Sequence, residues 1–464
     1  MALHVVILAA GKGTRMKSFR PKVLHTLAGC TLIEHVLRTV DGLRADSVTV
    51  VVGHGADDVR SSLKSRPAVQ FAVQSPQLGT GHALLQAESA VAGKSGVVLL
   101  LYADVPLLQT ATLARLIEHH RGAKAAATVL TMHLPEPYGY GRIVRDPSGR
   151  IQRIVEERDA SGQERAITEV NSGIYCFDLA PLFESLHQLA SDNAQGEYYL
   201  TDLVSMYRQR KLKVETLAIE SATELRGVNS RVDLADLSRV LRDRKNQSLM
   251  QGGVSLEDPA STFVDADVTI GADTAIGPGV TIEGTTSIGE RCRVHAGCRL
   301  TNMQVGDDVI VLDHSVLVDS RIDNGARIGP FAHLRPASVV GEGAHVGNFV
   351  ELKKTTLGRG SKANHLAYLG DSTIGERVNV GAGTITCNYD GVNKNPTIIE
   401  DGAFIGSDSQ LIAPVRIGAG AYVAAGSSIT RDVPADALAV ARGRQENKPG
   451  WAGRRRERRT KGLS

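Results

Sequence analysis

The stretch "ILAAGKGTRMKSFRPKVLHTLAG", Ile7 to Gly29, sets Lys12, Arg15, Lys17, Arg20 and Lys22 beside a glycine-rich turn that follows an apolar run. Such a turn can face its amides toward an anion while the side chains supply positive charge. It is not a Walker loop, because no Gly-Lys-Ser/Thr follows four residues after a glycine. It is a poor dinucleotide fingerprint too, since Met16 stands where a third glycine is needed after Gly11 and Gly13. Asp104, closing the strand-like "LLLYADVPLL", is a carboxylate of the kind that holds a phosphate-bridging metal. "QSPQLGTGHAL" offers Gln74 and a Gly79-Thr80 turn, suited to reading a base edge against close-packed backbone. Each has a plain structural alternative: solvated cations on a tight turn, a capping aspartate, an ordinary bend.

Further along, two stretches break a regular six-residue rhythm. "GSKANHLAYLG" carries His365 and Tyr368, and "TCNYDGVNKNP" carries Asn388, Tyr389 and Lys394. Loops that leave a repeat commonly serve function. By itself His365 reads equally well as a surface histidine or as a proton acceptor.

Positioning these residues takes two kinds of element. Through about Val228, apolar runs rich in β-branched residues ("HVVILAA", "SVTVVVG", "GVVLLLYADVP") alternate with helical stretches such as "TLIEHVLRTV" and "TGHALLQAESAV". That pattern predicts a Rossmann-like α/β domain, its parallel sheet covered on both faces and its ligand at the carboxyl ends of the strands. From Val264 a six-residue period takes over: Ile270, Ile276, Ile282, Ile288, Val294 and Leu300 follow. After a one-residue slip it resumes at Val305, Val311 and Leu317, and after another at Ile322, running on to Leu352. No helix keeps every sixth residue on one face, whereas a triangular coil takes one hexapeptide per side. The pattern resembles the left-handed parallel β-helix of hexapeptide-repeat proteins. Between the halves, "SRVDLADLSRVLRDRKNQSLMQGG" has helical spacing. The expected organisation is an α/β domain over residues 1–229, a linker helix over 230–250 and an all-β domain over 251–464.

Composition narrows the function. A net charge of +3 gives no ground for nucleic-acid binding, and the dense basic run "RRRERRTK" reads as a solvated tail. Cys30, Cys176, Cys292, Cys298 and Cys387 form no CxxC pair, which suits reduced thiols in a cytoplasm. No apolar run is long enough to span a membrane, and the N-terminal apolar run lacks the basic flank of a signal peptide.

Together the motifs resemble the sugar-1-phosphate nucleotidyltransferases, whose signature is "LAAGKGTRM" followed by "PKVLHTLAG". "YGYGRI", "IVEERDA", "VNSGIY", "NAQGEYYLTD" and "GVNSR" continue the likeness in order. So do "RPASVVGEGAHVGNFVELKK", "KANHLAYLGD" and "NVGAGTITCNYDG" in the repeat half. The chain is therefore similar to the family that fuses N-acetylglucosamine-1-phosphate uridylyltransferase to glucosamine-1-phosphate N-acetyltransferase, over nearly its whole length. The resemblance implies that Leu8, Ala9, Ala10 and Gly11 line a nucleotide pocket with backbone. It implies that Arg15 and Lys22 neutralise the triphosphate of UTP, and that Gln74, Gly79 and Thr80 read uracil. Tyr102, Ala103 and Asp104 would meet ribose and metal, with Ala103 standing where the family usually has glycine. Gly141, Glu156 and Asn171 would hold N-acetylglucosamine, and Asp104 and Asn229 would bind Mg²⁺. In the second half it implies His365 as general base toward the amine of glucosamine-1-phosphate. Arg335 and Lys353 would grip the sugar phosphate, and Tyr368 and Asn379 would orient the sugar. Ala382, Asn388, Tyr389, Ser407, Ala425 and Arg442 would line the acetyl-CoA groove. His333 stands where the family often has arginine. A homotrimer is implied, with acetyl transfer between neighbouring coils, in a protein without nucleic-acid or membrane partners. Two alternatives are a nucleotidyltransferase whose coil only regulates or assembles it, and a non-catalytic scaffold. Against the first stand the "NHLAY" and "GAGTITCNYDG" stretches. Against the second stands the retention of Arg15, Lys22, Asp104 and His365.

Overall fold

The computed structural model describes residues 1–461; residues 462–464, the end of the expected second domain, lie outside the described residues. Two compact units are present, Met1–Arg242 and Asp243 onward.

In the first unit the strands Val214–Ile219, Ala127–His133, Glu169–Asp178, Val97–Tyr102, Leu3–Ala9, Ser47–Val52 and Val69–Val73 lie side by side in that order. Alternation along each strand feeds two cores. Val5, Ile7 and Ala9 join one buried cluster and Val6, Leu8 and Ala10 the other. This is why the strands read as continuous apolar runs. The sheet is not wholly parallel, contrary to expectation. Glu169–Asp178 runs antiparallel to both Val97–Tyr102 and Ala127–His133. A strand buried on both faces has the same apolar signature in either direction, so sequence pattern cannot reveal this reversal. A hairpin, Arg142–Arg145 with Ile151–Val155, hangs from that strand through Val170 and Arg142.

The expected linker is a helix, Arg231–Gln251, ended near Gly253, whose φ is +92°. Its early part sends Leu237 into a cluster with Met16, Leu27, Leu32, Leu107 and Val228. Its late part belongs to the second unit. There Lys245 Nζ donates to the carbonyls of Ala266 (2.9 Å) and Val268 (2.7 Å), and Asn246 donates to those of Pro259 (2.9 Å) and Thr262 (3.0 Å). The division between the compact units thus falls within the helix, not at either of its ends.

The second unit is a triangular parallel coil, the left-handed β-helix of hexapeptide repeats. Its three sheets have eleven, ten and nine strands, and each strand pairs in parallel with the one three further on, except at the last step of the eleven-stranded sheet, which is two on. Phe263–Val264 lies on Thr281–Glu283, which lies on Arg299–Thr301. The periodic aliphatics fill the interior, from Val264 through Ile282, Leu300 and Leu334 to Leu352. The two slips in the period fall at Asn302 and Asp319, which turn their corners at φ +52° and +45°. Asn and Asp tolerate the left-handed region better than most residues, which lets the corner close one residue early.

One expected break is not a break. Lys362–His365 pairs in register with His345–Asn348, and Tyr368–Gly370 with Glu351–Lys353. Ala363 and Leu369 keep the inward period, so only the outward residues of this stretch are unusual. The other expected break is a true excursion. Ile385 pairs with Gln410, twenty-five positions on, and the loop between is tied by Asp390 Oδ1, which accepts from the amides of Val392 (2.8 Å) and Asn393 (2.6 Å). The basic tail forms an exposed helix, Trp451–Thr460, with Arg455 over the Trp451 ring. Among the described residues no helix is long and apolar enough to cross a membrane.

Candidate active sites

A cleft of about 560 Å³ opens at the carboxyl ends of the first unit's central strands. Leu8, Ala9, Ala10, Gly11, Lys22, Gln74, Gly79, Thr80, Tyr102, Asp104 and Asn229, drawn from seven separate segments, all line it. Arg15 reaches the same point from outside the lining: its Nη2 donates to Asn229 Oδ1 at 2.9 Å. Lys22 Nζ sits between Asp104 Oδ2, which it contacts closely, and Asn229 Oδ1 at 3.3 Å. The amide of Val228 donates to the Asp104 carbonyl at 2.8 Å and so holds the two oxygen-bearing segments together.

Gln74 is buried, and its Nε2 donates to the Gly79 carbonyl at 2.9 Å. Gly79 has φ +107°, and a β-carbon there would lie 2.8 Å from the Tyr198 carbonyl, so the turn requires glycine. The sugar-lobe candidates also meet. Asn171 N–H donates to the Gly141 carbonyl at 2.8 Å, and a β-carbon on Gly141 would stand 3.5 Å from the Glu156 carboxyl oxygens. Burial, above all, pushes the Glu156 carboxyl up, with Asp202, Asp159 and Glu197 adding to it, while the Thr201 hydroxyl, donating at 3.2 Å, opposes. Burial raises the Tyr102 phenol, aided by Glu156 and Asp104.

Ala103 departs from expectation. Its side chain is fully buried in the core cluster beside Leu101 and Val105 and is not part of the cleft lining. The methyl group therefore does not narrow the ligand approach; only the backbone, whose N–H donates to the Leu8 carbonyl at 3.0 Å, stands near it. Ala103→Gly is expected to cost about 1 kcal/mol of stability and to leave the KM for the nucleotide unchanged. Urea denaturation and steady-state kinetics check both. Sequence reasoning missed Gln77, Ala83 and Glu197, which also line the cleft.

In the coil, His365 Nδ1 lies 2.6 Å from Asn348 Oδ1. The two occupy matching positions on successive coils, so a spacing of one coil was the signal by which Asn348 could have been found. With the amide oxygen accepting, Nδ1 carries the hydrogen and Nε2 keeps its lone pair. A second cluster lies on the neighbouring face. Arg335 pairs with Glu351 at 2.9 Å, and Lys353 stands 4.0 Å from Asp371, which also accepts from the Asn388 amide. Glu351 and Tyr368 are register partners. The excursion brings Lys394 beside Lys353, whose presence lowers the Lys394 ammonium.

The acetyl-CoA candidates do not form one group. Ala382, Ser407 and Ala425 climb the same corner as His365: Asp408 N–H donates to the Ala382 carbonyl (2.7 Å), and Gly426 N–H to that of Ser407 (2.8 Å). Arg442 joins them by donating to the Ala425 carbonyl at 2.6 Å. Asn388 and Tyr389 lie beyond the far end of the strand Ile385–Cys387. Asn379 pairs with Lys362 in a different sheet from Tyr368.

These features define a transferase with two separate sites, a nucleotidyltransferase domain followed by a hexapeptide-coil transferase. Residues 5–175 match the MobA-like NTP transferase domain, and residues 267–302 and 396–431 match the bacterial transferase hexapeptide repeats. "Bifunctional protein GlmU" of Pelobacter propionicus is 50% identical over 446 residues, covering 96% of this chain and 97% of that one. Its namesake in Syntrophomonas wolfei is 49% identical over 449 residues, covering 97% and 99%. The chain belongs to the GlmU family of bifunctional proteins; it is an enzyme of uridylyl and acetyl transfer.

Proposed function

We propose that the coil acetylates glucosamine-1-phosphate from acetyl-CoA, and that the first unit joins the resulting N-acetylglucosamine-1-phosphate to UTP. UDP-N-acetylglucosamine and pyrophosphate are formed, and the nucleotide sugar supplies peptidoglycan and lipopolysaccharide precursors. The observation that carries the first half is the convergence of Arg15, Lys22, Asp104 and Asn229 at one point of the cleft.

In uridylyl transfer a sugar-phosphate oxygen attacks the α-phosphorus of UTP. A new P–O bond forms, the bond to the bridging oxygen breaks, and pyrophosphate leaves. The nucleophile is already an anion, so no general base is needed; the barrier lies in bringing anions together and stabilising the added charge. Arg15 and Lys22 meet the triphosphate, Gln74 and the Gly79–Thr80 backbone read uracil, and Gly141, Glu156 and Asn171 hold the sugar. Asp104 and Asn229 would hold Mg²⁺. The donor set fits: two hard oxygens already converge on one cation, the Lys22 ammonium, and Mg²⁺ takes one or two protein oxygens and fills its shell with phosphate and water. Bound there, Mg²⁺ would supply charge neutralisation between phosphates.

In acetyl transfer the C2 amine attacks the thioester carbonyl, the C–S bond breaks, and CoA leaves as its thiol. His365 Nε2 takes the amine proton. Arg335 and Lys353 grip the sugar phosphate, and Tyr368 and Asn379 orient the ring. Ala382, Asn388, Tyr389, Ser407, Ala425 and Arg442 receive acetyl-CoA. A homotrimer of cytoplasmic chains is part of this reading. It is supported by the division of the acetyl-CoA candidates between two ends of one face, and by the exposed stack of Phe331 on Phe349, 5.3 Å between ring centres.

Glucosamine-1-phosphate, acetyl-CoA, UTP and Mg²⁺ supplied together should yield UDP-N-acetylglucosamine. Appearance of only the acetylated sugar phosphate, or of neither product, sinks the reading. A chain starting at about Ser230 is expected to retain acetyl transfer, because the coil buries its own aliphatic column. Thiol release from acetyl-CoA by the truncated protein measures this; a folded trimer without thiol release counts against it.

A further inference from the structure

We propose that Glu157, through Arg142, is a positioning residue for the sugar lobe of the first unit and sets the affinity for the sugar phosphate apart from that for the nucleotide. This rests on the reading of Gly141, Glu156 and Asn171 as the sugar-holding residues.

The two walls of that lobe are the two strands of the hairpin. Arg142 pairs with Val155 across it, so Gly141 and Glu156 are the next opposed positions outward. Beyond them the chain is no longer held by ladder hydrogen bonds. A different tie takes over. Arg142, only 2% exposed, donates from Nη2 to Glu157 Oε2 at 2.7 Å, and the same oxygen accepts from the Gly139 amide at 3.2 Å. The second guanidinium nitrogen donates to the Tyr140 carbonyl. A single carboxylate thereby fixes the turn leading into Gly141 to the residue that follows Glu156. Arg142 holds Glu157 below the usual carboxylate range, chiefly through their hydrogen bond, so the tie is charged throughout the neutral range. Gly139 turns the chain at φ +84° and Tyr138 is exposed, while within the turn Tyr140 N–H donates to the Pro137 carbonyl at 3.2 Å. A buried guanidinium that lost its carboxylate would pull away toward water and carry Tyr140 and Gly141 with it. The cleft lining at Gln74, Gly79 and Thr80 comes from a different segment and is not tied to this pair.

The test compares Glu157→Ala and Glu157→Gln with wild type in the full-length protein, varying each substrate of uridylyl transfer in turn. Glu157→Ala should raise the KM for N-acetylglucosamine-1-phosphate about tenfold, with the KM for UTP within about twofold. Glu157→Gln, which keeps a neutral acceptor for both donors, should recover most of that loss. Acetyl transfer and the thermal midpoint serve as controls for folding. A purely structural role predicts that both KM values move together or that neither moves, and either result overturns the proposal. Glu156→Gln separates the proposal from its premise: if that variant leaves the sugar KM unchanged, the sugar lobe is misassigned and the proposal falls with it. If Glu156→Gln raises the sugar KM and Glu157→Ala does not, only the positioning role is lost.

Discussion

Replacing His365 with alanine is expected to slow acetyl transfer roughly 10²–10⁴-fold, the usual scale for losing a positioned acid or base, and to leave uridylyl transfer untouched. The amine of the substrate must shed a proton as its nitrogen attacks. In this structure His365 Nδ1 is held by Asn348, which leaves Nε2 to receive that proton. Binding of either substrate should change far less, because Arg335 and Lys353, the residues proposed to grip the sugar phosphate, stand on the neighbouring face. Retention of most turnover at neutral pH in His365→Ala would remove the histidine as base. Tyr368 would then be the next group to test.

Asp104→Ala carries the other large effect. Uridylyl transfer should become undetectable while acetyl transfer stays near wild type. The mutation removes the carboxylate on which Lys22 closes and to which Asn229 is adjacent, so the site would lose its proposed metal ligand and the contact that aligns Lys22 together. The residues proposed for the two activities belong to different compact units, so a folded mutant that lost both in parallel would contradict the assignment of independent sites. Mn²⁺ binding in the presence of UTP, followed by electron paramagnetic resonance, provides a readout apart from turnover.

Much of this was legible in the residues themselves. Glycine turns, strand-end carboxylates and a fixed six-residue period are local signals, which is why Gly11, Lys22, Asp104 and the aliphatic column of the coil could be found from spacing. What escaped depends on direction and register. Glu169–Asp178 reverses the sheet without changing its composition. Ala103 is one residue from Asp104, yet the alternation of the strand sends its methyl into the core. His365 reads in the sequence as part of a break in the six-residue rhythm, although Ala363 and Leu369 hold the coil's inward period on either side. Asn348 and Glu157 act through partners that only the pairing of strands brings near.

The pairing distances have a consequence for how the chain comes to be folded. In the coil each strand finds its neighbour some sixteen to twenty positions away, apart from the steps that cross the single excursion, where the distance is twenty-five. The first unit must instead bring Leu3 to Val97, and Val97 to Asp178, before its central strands are paired on both sides. Closing such distant ends delays the reward of contact, whereas a stack of near neighbours can nucleate at any rung and zip in both directions. After dilution from denaturant the two activities should therefore return at different speeds, acetyl transfer with the stacking of near-neighbour rungs and uridylyl transfer with the closure of one long-range sheet.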